Sequence, residues 1–160
     1  YSYFLMLDFF GDPTFIDKIS AETPRQAHAY NEKFEEGKSY TRAELLQMGR
    51  EFLFNWVESE LLAAEPDLLA AKPENDTEAD YGRVDKGTCW LLLSRLYLNA
   101  GTYLNNDGQN NPYWKEALEY AEKAIAAAEA GGATMMTKQE LTKPTTAFAT
   151  ATNGWMWYAH

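Results

Sequence analysis

Residues 89–98 are almost entirely apolar, and this run places the strongest constraint on how the chain can fold. Only Ser94 and Arg95 interrupt it, so a helix built from these residues is apolar around nearly its whole circumference. Such a helix has to pack against more than one neighbour to remove its surface from water. We therefore predict a helix over residues 85–103 that is the most buried element of the chain.

A second helix is predicted over residues 113–130, after a polar loop. Small residues recur on one of its faces, at Ala117, Ala121 and Ala124, and would let a neighbouring helix approach closely. The bulky Tyr97 lies on the preceding helix, as in tetratricopeptide (TPR) hairpins. We interpret the two segments as a TPR-like pair of antiparallel helices, although their loop is longer than in a regular repeat and no second copy is visible.

Three further segments complete the predicted architecture. Residues 1–10 are typical of the end of a buried helix that stops at Gly11. Residues 41–65 form a helix with a capping box between Thr41 and Glu44, which leads into an apolar stripe at Leu45, Met48, Phe52 and Trp56.

The last segment, residues 134–160, is irregular until a short apolar strand at Trp155, Met156 and Trp157. The expected fold is thus mainly α, with long loops. Because both ends of the chain are strongly apolar, we expect residues 1–160 to be a single helical fragment of a larger protein.

Charge and composition exclude several classes of function. The 14 basic residues are scattered among 24 acidic ones, giving a net charge of −10, so neither nucleic acid nor an anionic membrane surface is an expected partner. The single cysteine, Cys89, is interpreted as a buried, inert thiol. His28 and His160 stand alone, and no paired carboxylates or Gly-rich phosphate loop accompany them. We predict no catalytic residue, no metal site and no cofactor.

Aromatic residues make up 14% of the chain, and three of them flank the polar loop 105–112. Tyr103, Tyr113 and Trp114 are the candidates for stacking on a sugar, since amide side chains beside them could bond its hydroxyls. The competing interpretation is that they belong to the core, above all Trp114, which continues the apolar stripe of its helix. Asn105, Asp107 and Gly108 are interpreted as turn residues and not as a calcium loop.

Several segments of the chain resemble segments of the SusD/RagB family, and they occur in the same order as in that family. The strongest resemblance is in residues 81–87 with 93–100, where family members read G-R-x-x-K-G and then L-A-R-L-Y-L. Weaker ones are the segments YFLMLDFFGD at 3–12, YTRAE at 40–44, WKEA at 114–117, YAEKAI at 120–125 and WMW at 155–157. Thr88, Cys89 and Trp90 depart from the small residues usual in the family, and residues 18–40 have no counterpart.

The resemblance implies a non-catalytic, outer-membrane lipoprotein exposed on the cell surface of Bacteroidota. Such proteins capture starch-like or host oligosaccharides and polysaccharides, and deliver them to a SusC-type TonB-dependent transporter. In this family the helical repeats form the scaffold, and loops elsewhere supply most glycan contacts. The alternative, which rests on the helix pair alone, is a TPR-like adaptor for protein–protein interaction.

Overall fold

A computed structural model describes residues 1–16, 35, 37–71, 83–105 and 107–130, which form a mainly helical structure. Its helices are α1 (Ser2–Phe10), α2 (Arg42–Ala64), α3 (Lys86–Leu98), α4 (Ala100–Asn105) and α5 (Trp114–Ala130), with a short 3-10 turn at Glu65–Asp67. The predicted mainly α class is confirmed for this part of the chain. The strand predicted at 155–157 and the tail 134–160 lie outside the described residues.

The predicted helix boundaries at Gly11 and Thr41 are confirmed. Gly11 ends α1 with a φ of 72°, a backbone conformation that favours glycine, and its N–H donates to the Met6 and Leu7 carbonyls. At the start of α2, the Thr41 N–H donates to the Glu44 carboxylate at 2.8 Å, and the Glu44 N–H donates to Thr41 Oγ1 at 3.3 Å. This reciprocal pair is the capping box expected from the sequence.

The single helix predicted over 85–103 is wrong, because the structure divides it at Asn99 into α3 and α4. The side-chain amide of Asn99 donates to the Arg95 carbonyl at 2.9 Å, which competes with continued helix. Asn111, from the following loop, donates to the carbonyls of Tyr97 at 2.8 Å and Leu98 at 3.0 Å. A partner distant in sequence therefore satisfies the carbonyls that end α3.

Helix α3 lies at the centre of the described core. It supplies three fully buried side chains, more than any other helix: Cys89, Leu93 and Leu96. Its most extensive contact is with α5, and it also packs against α2 and α4. Helix α5 meets it through small residues, of which Ala117 is buried and Ala121 and Ala124 are half-buried.

The burial of α3 is not complete, however. Leu91 and Leu98 are exposed at 36% and 53%, so the predicted packing of α3 against more than one neighbour is confirmed but leaves one side of the helix partly exposed. The buried Cys89, Leu93 and Leu96 lie on the opposite side of the helix.

A polar cluster ties α1 to α3 and α4 at the edge of this core. The Arg95 guanidinium pairs with Asp8 Oδ2 at 2.7 Å and lies 5.3 Å from the centre of the Phe4 ring. The Tyr103 hydroxyl donates to the other oxygen of Asp8. One carboxylate on α1 thus receives a donor from each of two other helices.

Two further contacts organise the connection between α2 and α3. Leu69 and Asp85 form an isolated parallel bridge, with the Lys86 N–H donating to the Leu69 carbonyl at 3.0 Å. Asp85 then caps α3 by accepting from the Thr88 N–H at 2.9 Å.

Across the described part of the chain, no helix combines the length and apolar composition that crossing a bilayer requires.

The first prediction concerns Asn111. Replacing Asn111 with Ala removes both donors from the carbonyls that end α3, and burial keeps water from replacing them. We expect the free energy of unfolding to fall by about 1–3 kcal/mol in urea titrations. Asn110→Ala is the control, because the neighbouring Asn110 is exposed and contributes only its backbone carbonyl, so the change should stay within about 0.5 kcal/mol. Equal losses in the two variants would contradict the capping role.

Candidate functional site

Aromatic side chains from three helices meet where α2, α3 and α5 converge. We call this group, which consists of Phe54, Glu58, Tyr97, Tyr113 and Tyr120, the aromatic junction. Its rings are closely packed: Tyr97 and Tyr113 are stacked at 5.2 Å with an interplanar angle of 14°, and Tyr97 and Tyr120 lie 5.8 Å apart. Phe54 and Tyr97 are buried, whereas Tyr113 and Tyr120 are half-buried and reach the surface.

Local sequence features set the positions of these rings. Tyr113 lies immediately before α5, and its spacing of seven residues from Tyr120 places both rings on one side of the helix. Asn111 fixes the entry into the helix, since its Oδ1 accepts from the Tyr113 N–H at 2.8 Å. On α2, Phe54 and Glu58 are four residues apart and therefore also share a face.

Carboxyl groups lie near the hydroxyl groups of the three tyrosines. The Tyr97 hydroxyl donates to Glu58 Oε1 at 2.8 Å, and burial together with this bond raises the pKa of Tyr97. Burial, then Glu58 and Glu116, raise the pKa of Tyr113. The pKa of Tyr120 is also raised, by burial and then by Glu65, although Lys123 lies 4.4 Å from its ring centre and acts in the opposite direction. The phenols are therefore protonated at neutral pH and act as hydrogen-bonding groups.

The rings of the aromatic junction pack mainly on one another, and the groups that could contact a hydroxyl-rich ligand are those of the half-buried Tyr113 and Tyr120. A raised pKa makes a phenol a poorer nucleophile or base at pH 7. Among the described residues, no group of three or more His, Cys, Asp and Glu side chains could hold a metal ion.

Cys89 behaves as the sequence predicts. It is a free, buried thiol whose Sγ lies 3.4 Å from the Leu61 carbonyl. Burial, with a smaller contribution from Glu65, raises the pKa of the Cys89 thiol to about 11. The thiolate that reactive cysteines need is therefore scarce at neutral pH.

The three aromatic residues selected from the sequence end up in different environments. Tyr103 is 3% exposed and bonded to Asp8, so its ring offers no face to a sugar, contrary to its selection as a candidate. Tyr113 belongs to the aromatic junction. Trp114 is 50% exposed, which corrects the expectation that it continues a buried stripe. Helix α5 turns Ala117 towards the core, and Trp114 lies about 60° away from that direction around the helix axis.

Sequence reasoning missed Glu58 and Tyr120. Glu58 is half-buried and accepts a hydrogen bond from the Tyr97 hydroxyl. The regular spacing of Tyr113 and Tyr120 was the available signal, whereas the pairing of Glu58 with Tyr97 spans 39 residues and left no local trace. The interpretation of Asp107 and Gly108 as turn residues is confirmed, since Asp107 Oδ1 accepts from the Gln109 N–H at 2.9 Å, but Asn105 is the last residue of α4, and its side chain donates to the Asn110 carbonyl.

Comparison of the sequence with curated proteins shows which family the chain belongs to. The chain is similar to "Starch-binding protein SusD" of Bacteroides thetaiotaomicron, with 32% identity over 126 residues. This chain belongs to the SusD-like family. The similarity covers 79% of the chain but 17% of that protein, so the chain spans a small part of the length of its SusD relative. No protein-family model and no solved structure matches the chain significantly.

The structure shows what several SusD-like segments do in this chain. Asp8 and Arg95, from the first and the strongest of these segments, form the ion pair between α1 and α3. Tyr97, two residues after Arg95, is buried and bonded to Glu58. Trp90 departs from the small residues usual in SusD-like proteins, and its indole N–H donates to Glu65 at 2.7 Å. All four side chains hold helices together.

The second prediction tests the polar contact of the aromatic junction. Tyr97→Phe keeps the ring but leaves the half-buried Glu58 carboxylate without its donor, so we expect the free energy of unfolding to fall by about 1 kcal/mol. Tyr113→Phe serves as the control, because the Tyr113 ring stacks without depending on its hydroxyl. Chemical denaturation of both variants measures the difference, and a Tyr97→Phe protein as stable as the wild type would refute the role of this bond.

Proposed function

We propose that the protein binds oligosaccharides or polysaccharides, starch-like or host-derived, without catalysing a reaction on them. The similarity to the starch-binding protein SusD is the observation that supports this most strongly. The half-buried Tyr113 and Tyr120 are compatible with it, because partly exposed rings and hydroxyl groups can contact a glycan.

The family resemblance also supports a cellular location and a protein partner. We infer an outer-membrane lipoprotein of the SusD/RagB type in Bacteroidota, exposed at the cell surface, with its lipid attachment outside this fragment. In that setting the protein would deliver glycans to a SusC-type TonB-dependent transporter. Residues 1–160 would be one helical unit of the larger SusD-like protein.

Within this unit we propose a scaffold role for the helices. The contact of α3 with α5 through Ala117, Ala121 and Ala124 supports a TPR-like pair, in which small residues accept a bulky neighbour. Tyr113 and Trp114 stay the candidates for a glycan contact within the described residues, since both rings reach the surface. Most contacts with the glycan are proposed to come from other parts of the protein.

Affinity electrophoresis of the intact protein in gels containing starch or host glycans tests this proposal. We expect at least one polysaccharide to retard the protein, with no release of reducing sugar on prolonged incubation. A protein that no glycan retards, or that cleaves one, would contradict the proposal.

The third prediction tests whether the Trp114 side chain contacts the glycan. Trp114→Ala should change glycan affinity less than twofold, because the main contacts are proposed to lie elsewhere, and it should leave thermal stability nearly unchanged because the ring is half-exposed. Isothermal titration with the glycan that retards the wild type measures the affinity. A tenfold or greater loss with an unchanged melting temperature would instead place Trp114 in the glycan site.

A further inference from the structure

Three large apolar side chains lie exposed along one side of α5. Trp114, Leu118 and Ile125 are 50%, 59% and 47% exposed. Their spacing of four and seven residues places them in a single row along the helix, over about 17 Å. We call this row the outer stripe. Large apolar side chains gathered in one exposed row are typical of an interaction surface, whereas isolated ones are not.

Helix α3 extends this surface. Leu91 and Leu98, which are also exposed, are seven residues apart and so lie on one side of α3. Ser94 lies between them in sequence and donates to the Ala117 carbonyl of α5 at 2.9 Å. The exposed leucines of α3 therefore adjoin the line along which α3 meets α5.

The arrangement of α5 shows which side of the helix pair this is. Tyr120 turns towards the side of α2, because its ring lies 5.8 Å from that of Tyr97, whose hydroxyl donates to Glu58 of α2, whereas Ala117 is buried towards α3. At about 100° per residue, the outer stripe follows on the far side of Ala117. It thus lies on the opposite side of the α3–α5 contact from α2, next to Leu91 and Leu98.

The shape of this surface suits a helix. Ala121 and Ala128 lie between the α3-facing side of α5 and the outer stripe, and both are half-buried. Small residues at this position let another helix approach closely between α3 and α5. Flanking rows of large apolar side chains would then enclose its apolar face.

Charge defines the chemistry of the partner. Glu122 and Glu129 border the outer stripe on its solvent side, and both are exposed. Lys115 is the one cation on that border within the described residues, while Lys123 is paired with Glu119 at 3.0 Å. Together with a net charge of −10 for the chain, this border favours a basic partner and disfavours a second copy of the chain.

We propose that the outer stripe and the adjoining Leu91 and Leu98 dock an amphipathic helix of a partner protein, with an apolar row bordered by Lys or Arg. This interaction goes beyond glycan binding and uses a different side of the molecule from the aromatic junction. The apolar rows would supply the affinity, and Glu122 with Glu129 would select the charge of the partner.

Designed peptides provide the test on the intact protein. An 18-residue helical peptide with a leucine row and Lys borders is compared by fluorescence anisotropy with two others: the same row with Glu borders, and a scrambled Lys peptide. We expect the Lys-bordered helix to bind at least tenfold more tightly than either. Leu118→Asp with Ile125→Asp should weaken it at least tenfold, and Glu122→Lys with Glu129→Lys should reduce its preference over the Glu-bordered peptide.

The control variant is Leu62→Asp, which changes an exposed apolar residue of α2 outside the outer stripe and should leave peptide binding within twofold. Equal binding of all three peptides, or wild-type binding by the stripe variant, would overturn the proposal. So would a melting temperature strongly lowered by the stripe substitutions, which would show that the same polypeptide already covers this surface. A dimer in light scattering that the stripe variant abolishes would assign the surface to a second copy and equally overturn it.

Discussion

Removing Cys89, Leu93 and Leu96 from water requires α3 to have several neighbours at once, and the remaining described structure follows from this requirement. Each fully buried leucine stabilises the fold by about 1.5–3 kcal/mol relative to exposure. Helices α2, α4 and α5 each cover a part of α3, and α1 closes the edge of the same core with Phe4 and Leu7. None of these helices has enough apolar contact of its own to remain folded in isolation.

Polar contacts then determine how the neighbours are arranged around α3. The pairs Arg95 with Asp8, Tyr97 with Glu58 and Trp90 with Glu65 each join α3 to a segment more than twenty residues distant in sequence. Apolar contacts are non-directional, so pairs of this kind are what orients a helix about its axis. That Asp8, Arg95 and Tyr97 lie in the segments that resemble the SusD family suggests that these segments specify the scaffold.

The sequence predicted those features whose causes are local. The capping box of Thr41 and Glu44, the end of α1 at Gly11 and the buried Cys89 each depend on a few adjacent residues. The features it missed depend on residues that only the fold brings together. Asn111 ends α3 from a loop, Asp8 draws Tyr103 into the core across 95 residues, and the rotation of α5 exposes Trp114. Of the candidate site, the sequence identified Tyr113 but not Glu58, whose partner Tyr97 is 39 residues away. Tyr120 was also missed, although its spacing of seven residues from Tyr113 was a local signal.

We propose that Asp8, Arg95 and Tyr97, within the SusD-like segments, hold helices together without contacting the glycan, and a change at Arg95 tests this proposal. Arg95→Met keeps an apolar stem over the Phe4 ring but removes the ion pair with Asp8. Melting temperature and glycan affinity are measured together on the intact protein. The account predicts a melting temperature lowered by about 2–4 °C, as a loss of about 1 kcal/mol gives for a domain of this size, with an unchanged glycan dissociation constant for the folded protein. A dissociation constant weakened tenfold at an unchanged melting temperature would contradict it.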